Sequence, residues 1–264
     1  LASGLSNQLR LKDSERYRSL NRRAARWFHL QGRSEPAIRH ALEARDPEIL
    51  ESVAERALQN LVRNCEFFAL QKHVRNIPPG LARDRPFLSV FLAWALLHMG
   101  REREGVAHLD HARSLALDAE RESPFTGRTG SILAHEAFLR SILMRLQGDI
   151  HDAQKLASEA CQSCQDNKPF LATSLRSQMA INQFLTGDMD AAEKELERSM
   201  EQAESAEHHL AYFGSGYTLA EIMVLQGRID STHRLIAEQR RYAETGSARL
   251  VRTMGTRVPS TTPA

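Results

Sequence analysis

PFLSVFLAWALLHMGREREGVAHLDHA, residues Pro86–Ala112, is the stretch that decides the fold. Leu88, Phe91, Leu92, Ala95, Leu96 and Met99 recur at steps of three and four residues, the spacing that lines one face of an α-helix. Gly100 interrupts the pattern, and Val106, Leu109 and Ala112 then resume the same step. The stretch therefore reads as a helical hairpin, two amphipathic helices joined by a short polar turn.

The same punctuation recurs along the chain. Gly32, Gly148 and Gly227 each close an LeuGlnGly, Gly187 closes a LeuThrGly, and Gly100 follows Met99. The intervals are 68, 48, 39 and 40 residues, the range of helical-hairpin repeats, with the first long enough for two units. If these are repeats, the points where two helices cross closely must hold small residues. Seven residues before the glycines stand Ala25, Ala93, Ser141, Ala180 and Ala220, and five after stand Ala37, Gly105, Ala153, Ala192 and Thr232. Large side chains dominate four residues before (Phe28, Leu96, Met144, Met223, with Gln183 the exception). This small and large alternation is that of a tetratricopeptide-type repeat. Each glycine is expected to supply the left-handed backbone that ends the first helix of its pair. A degenerate unit lies between the first two if Cys65 stands in the glycine's place, with Leu58, Leu61, Leu70, Val74 and Ile77 in the apolar slots and Pro78 and Pro79 closing it.

The expected architecture is all-α, a tetratricopeptide-like right-handed superhelix of five to six helical hairpins. Residues 1–19 form an N-terminal extension, read as a frayed helix because Leu5, Leu9, Leu11 and Tyr17 are its only sizeable apolar side chains. Residues 20–122 and 123–245 form two groups of repeats separated by a loop over Ser123–Gly130, and residues 246–264 are expected to be a disordered tail.

Composition excludes several classes. No apolar run reaches eighteen residues, so no membrane span is expected, and the first residues lack the apolar core of a secretory signal. The chain starts at Leu1 rather than Met, which reads as a piece of a longer protein. Three cysteines do not make a disulfide framework, and a reducing cytoplasm is the expected home. The net charge of +2 argues for no nucleic-acid partner. Its distribution is uneven: residues 1–50 carry ten Arg and Lys against six Asp and Glu, whereas Asp188–Glu207 holds eight acids. Solvated helix faces account for both, and the Arg22, Arg23 and Arg26 stripe beside Trp27 is alternatively a docking face. Cys161 and Cys164 (CQSC) have no second CxxC, and HisLeuAspHis at 108–111 lacks a carboxylate and histidine set at metal spacing, so neither signals a metal. No nucleophile motif is present and no enzyme activity is expected.

The stretch LNRRAARWFHLQGRSEPAIRHALEARDPEIL (Leu20–Leu50), the helix Val53–Arg63, Ile77-Pro78 and Arg85–Leu96 together resemble the region that follows the ATPase and winged-helix portion of MalT-type regulators, large ATP-binding members of the LuxR family. The pattern RRAARWF…G…EPAIRHALEARD is the specific part, and the likeness covers roughly residues 15–245. It implies the superhelical sensor of a transcriptional regulator, one that binds a small inducer, contacts regulatory proteins and takes part in self-association. No GxxxxGK[ST] occurs and the last 20 residues are not a helix-turn-helix, so this chain itself is expected to hold neither ATP nor DNA. Those tasks fall to adjoining ATPase and helix-turn-helix modules.

In such a superhelix the first helix of each pair lines the concave surface. Carried over, the inward positions include Phe87, Trp94 and His98, then His135, Phe138 and Arg145, then Ser174, Ser177 and Phe184, then Tyr217, Glu221 and Val224. Aromatic rings cover the apolar face of a sugar while charged groups fix its hydroxyls, so Trp94, His98, His135, Arg145, Tyr217 and Glu221 are the candidate effector-binding residues. The competing reading puts Trp94 and Phe138 in the core and His98 at a helix end. The functional alternative is a plain tetratricopeptide scaffold that binds a protein or peptide.

Overall fold

A computed structural model describes residues 2–81, 84–122, 127–163 and 169–255. The described residues form thirteen α-helices, one short 3₁₀ turn at Pro79–Leu81 and no strand. In chain order the helices are α1 (Ala2–Lys12), α2 (Ser14–Leu30), α3 (Ser34–Ala44), α4 (Pro47–Arg63), α5 (Phe67–Val74), α6 (Pro86–His98), α7 (Glu102–Glu122), α8 (Gly127–Gln147), α9 (Ile150–Ser163), α10 (Pro169–Leu185), α11 (Met189–Ser205), α12 (His209–Leu225) and α13 (Ile229–Gly255). After α1 they fall into six consecutive pairs. α2, α6, α8, α10 and α12 each pack on the helix that follows, and α4, α6, α8, α10 and α12 each touch the first helix of the neighbouring pair.

The turns follow the glycine rule. Gly32, Gly100, Gly148, Gly187 and Gly227 have φ between +69° and +95°, a region from which a Cβ is sterically driven. Arg101 N–H bonds Leu96 O at 2.9 Å and Gly100 N–H bonds Leu97 O at 3.0 Å, satisfying carbonyls that the helix end leaves open. Cys65 does stand in the glycine's place, at φ +60°, and its turn repeats the bonding, with Glu66 N–H on Leu61 O at 2.7 Å. Aspartates start the following helices: Asp46 accepts from the Glu48 and Ile49 amides ahead of Pro47, and Asp188 accepts from the Ala191 amide.

The small positions are where the paired helices cross. Ala25, Ala93, Ser141, Ala180, Ala37, Gly105, Ala153, Ala192 and Thr232 are all buried, and Ala220 is half-buried. At Gly105 a Cβ would stand 2.7 Å from Leu97 Cγ and Cδ2, closer than carbon atoms approach, so hydrogen alone fits there. Of the large positions, Leu96 and Met223 are buried, and Phe28 and Met144 are half-buried.

Several boundaries differ from the sequence expectation. Residues 14–19 of the N-terminal extension belong to α2, because Asp13 caps a helix there by accepting from Arg16 N–H at 2.9 Å. The loop expected over Ser123–Gly130 yields to α8 from Gly127, and 123–126 lie outside the described residues. Helix α13 continues through 246–255, the first half of the expected tail, and 256–264 lie outside the described residues. One apolar core runs from Ala25 to Leu175, across the 122/123 boundary, and a second runs from Ala180 to Leu235.

The array also meets itself. α12 touches α4, and Leu210 packs against the first core although most of α12 belongs to the second. Ser131 Oγ on α8 donates to Glu55 Oε1 on α4 at 3.3 Å. The first helices of the pairs therefore close around a common interior.

Candidate functional site

That interior is filled by rings. Phe67 on α5 stacks on His98 at 4.0 Å, His98 on Trp94 at 5.6 Å, and Trp94 on Phe138 of α8 at 5.2 Å. His135 of α8 meets Phe87 and Trp94 edge-on at 5.6 and 6.3 Å and reaches Phe170 of α10 at 6.1 Å. Phe170 then stacks on His208, the residue before α12, at 4.6 Å. A continuous column of eight aromatic and imidazole rings thus links five of the six pairs. The spacing of the repeats puts it there, since Phe87, Trp94, His98, His135 and Phe138 all occupy inward positions of their helices.

Three of the candidate residues come together in this column. Trp94 is 1% exposed and His135 is fully buried, so both are core. His98 stacks between Phe67 and Trp94 yet is exposed to solvent, and its Nδ1 bonds Trp94 O at 2.7 Å. Burial lowers the His98 pKa, and the Trp94 carbonyl partly opposes the shift by favouring the protonated ring. Among the described residues no hydrogen-bond acceptor meets the Trp94 indole Nε1–H, although that atom is buried. A buried donor of this kind ordinarily finds a partner, because leaving it bare costs about 1–3 kcal/mol.

The other three candidates lie elsewhere. Arg145 is half-buried at the end of α8, donates to Gln178 Oε1 of α10, and has its pKa lowered by burial. Tyr217 is 67% exposed, and Glu221 is half-buried one turn further along α12. Among the described residues no ring contact joins Tyr217 to the column. The interior surface is therefore packed shut at α6 and α8 and open to solvent on α12.

Sequence reading missed Phe67, Phe170, Gln178 and His208. His208 is 1% exposed and carries the sharpest chemistry of the four. Its Nδ1 accepts from Ala211 N–H at 3.4 Å, capping α12, so the ring proton sits on Nε2 and is donated to Ser174 Oγ at 2.8 Å. Ser174 in turn donates to Phe170 O at 2.9 Å. Burial, then the nearby Arg63 and His209, push the His208 pKa down to about 4. The signal in the sequence was the HisHis pair at the start of a helix, in a position where Asp or Ser is more usual.

Two buried carboxylates serve the frame. Glu51 on α4 accepts from Phe87 N–H at 3.2 Å, lies 3.6 Å from Arg85, and so caps α6 from outside. Glu136 on α8 is fully buried and accepts from Arg140 and, at 3.1 Å, from Arg113 of α7, while Arg140 also reaches Asp110 at 2.7 Å. The network pins α7 to α8. Of the basic stripe, Arg22 pairs with Asp46 at 2.8 Å. Among the described residues no group of three or more His, Cys, Asp or Glu is placed to hold a metal. Cys161 is a free, half-buried thiol, and Cys164 lies outside the described residues. No described helix is long and apolar enough to cross a membrane. A shallow groove of about 480 Å³ runs along α13, lined by Arg234, Ala237, Glu238, Arg240, Arg241 and Glu244.

Fold and site define an all-helical chain of paired helices with an aromatic interior. Over 234 aligned residues, 83% of this chain, it is 26% identical to the HTH-type transcriptional regulator MalT of Serratia proteamaculans (strain 568). The chain spans 25% of that protein's length. No protein-family model matches the chain, and no solved structure does.

Proposed function

We propose that this chain is the sensor and protein-interaction module of a MalT-type transcriptional regulator, built as a tetratricopeptide-like right-handed superhelix. It performs no catalysis and works in the cytoplasm. ATP and DNA are handled by adjoining ATPase and helix-turn-helix modules. A small polar effector is held beside Trp94 in an arrangement of the helical pairs in which the packed column has opened, and its binding favours that arrangement over the closed one, changing how the module engages its neighbours. The observation that carries this reading is the buried indole N–H of Trp94, a ring packed against His98 of its own helix and His135 and Phe138 of α8, which meets no acceptor among the described residues. An effector hydroxyl or carboxylate would supply one, while His98 and Phe138 cover its apolar face.

A thermal-shift screen of sugars and small metabolites tests the proposal. A ligand at a hundred times its dissociation constant adds about 2.7 kcal/mol of stability. Replacing Trp94→Phe, which keeps the ring and deletes the donor, is expected to abolish that shift. A ligand that stabilises the wild type and the variant equally would remove Trp94 from the site, and the absence of any stabilising ligand would remove the small-molecule reading.

A plain tetratricopeptide scaffold binding a protein or peptide is the second reading. The open groove along α13, with three arginines and two glutamates on its walls, is the observation in its favour. Binding of charged peptides that is weakened by Arg241→Glu, with no small-molecule shift, is the result it requires.

A further inference from the structure

The first helices of successive pairs meet along matched positions, and the chemistry of that contact changes at α10. Thirteen and ten residues before the turn glycine, α6 carries Phe87 and Val90, α8 His135 and Phe138, and α10 Ser174 and Ser177. Rings accordingly join α6 to α8, Phe87 meeting His135 and Trp94 meeting Phe138. Hydroxyls join α10 to α12. Ser177 donates to Ser215 at 2.8 Å, Ser215 donates on to Ser199 of α11 at 3.1 Å, and Ser174 accepts from His208 at 2.8 Å. All five side chains are buried. The apolar cores divide at the same place, the first ending at Leu175 of α10 and the second beginning at Ala180.

The start of α12 also touches α4, where Leu210 packs against the first core. Arg63, the last residue of α4, stands close enough to His208 and His209 to disfavour their charged forms, and its Nε is buried with no acceptor among the described residues. A boundary of this composition is the one that parts at least cost. Separated hydroxyls exchange their bonds for bonds to water, and a bare buried donor gains one, whereas separated rings leave apolar surface in water.

We propose that α12 and α13 swing together away from α10 and α4 along this hydroxyl seam, a movement built into the fold that uncovers the Phe170 end of the ring column. The two helices move as one because Tyr242 of α13 stacks on Tyr212 at 4.0 Å and meets Phe213 edge-on at 5.8 Å. What the movement is for rests on the sensor reading above. The column runs from Trp94 through His135 to Phe170 and His208, so parting at His208 bares its end and begins the opening in which an effector is held.

Thiol labelling of the full chain without any effector is the test, with Cys65, Cys161 and Cys164 replaced by serine and one new cysteine added at a time. Ser215→Cys and Ser177→Cys probe the two sides of the seam, and Ser89→Cys, fully buried on α6, probes the first core. A buried thiol reacts only when its surroundings open. Both seam cysteines are expected to label at least about tenfold faster than Ser89→Cys, with a common and weaker dependence on urea, because a partial opening exposes less surface than unfolding. Should either seam variant fail to fold by circular dichroism, the other reads the same movement from the facing helix. Seam cysteines that label as slowly as Ser89→Cys, with its urea dependence, overturn the proposal. So does fast labelling on one side of the seam only. Since no effector is present, a seam that stays shut counts against this movement whatever a ligand screen finds, and a seam that opens stands even if the screen finds nothing.

Discussion

His208→Asn separates the capping role of this side chain from its titration. In the wild type the neutral ring accepts from Ala211 N–H through Nδ1 and donates through Nε2 to Ser174. Protonation removes the acceptor and places a cation in a buried site beside Arg63 and His209, with the Glu207 carboxylate next along the chain. The folded pKa is therefore depressed, to about 4 from 6.5. The sign follows directly. A histidine that is harder to protonate when folded leaves the unfolded chain binding more protons between those two values, so stability is full above pH 6.5 and falls as pH drops towards 4. At 1.36 kcal/mol per pH unit the full loss is about 3 kcal/mol. Asparagine keeps a side-chain oxygen to accept from the Ala211 amide, since it is among the best N-cap residues, but does not titrate. Urea unfolding followed by circular dichroism across this pH range measures both proteins. His29, His40, His73, His98, His108 and His209 are lowered by burial too, so the wild type and the variant share a downward slope. The expected result is a difference between the two curves that grows by about 3 kcal/mol from neutral pH to pH 4. Parallel curves would refute the assignment of His208 as a buried neutral cap.

Two further substitutions probe the repeat itself. Gly105→Ala is expected to destabilise by about 1–3 kcal/mol, because its Cβ meets Leu97 at 2.7 Å, and an unchanged denaturation midpoint would mean that α6 and α7 do not cross at this point. Cys65→Gly is expected to stabilise by about 0.5–1 kcal/mol, since glycine carries no penalty at φ +60° and the exposed thiol makes no packing contribution; a lowered melting temperature would contradict the left-handed turn.

Much of the fold was legible because it is local. The left-handed turn at Cys65 could be placed from the neighbouring Leu58, Leu61, Leu70, Val74 and Ile77 and the prolines that follow, and the bare Cα of Gly105 from its distance to Gly100. The caps at Asp46 and Asp188 are as local, with capping bonds that lie within three residues, although the pattern reading did not single them out. The Glu136 network was not legible, because its arginines come from two helices and only their packing decides which of the many exposed arginines turns inward. The candidate site divided along the same line. Trp94, His98 and His135 share one cluster, while Arg145 pairs with Gln178 and Tyr217 faces solvent.

The sequence by itself determined the paired helices, the turns that join them and the small residues at which they cross, since each depends on contacts within about forty residues, one repeat. It also placed Trp94, His98, His135 and Phe138 at inward positions of their helices, and these four rings meet in one cluster. Whether those positions line an open groove or a closed core was decided by tertiary structure. The packing of the pairs brings α12 onto α4 and sets helices far apart in sequence against one another, so that Trp94 and His135 are buried among rings of α6, α8 and α10. Tyr217 and Ile236 have the register of positions that are buried in other pairs yet are 67% and 52% exposed, which the pattern alone does not tell.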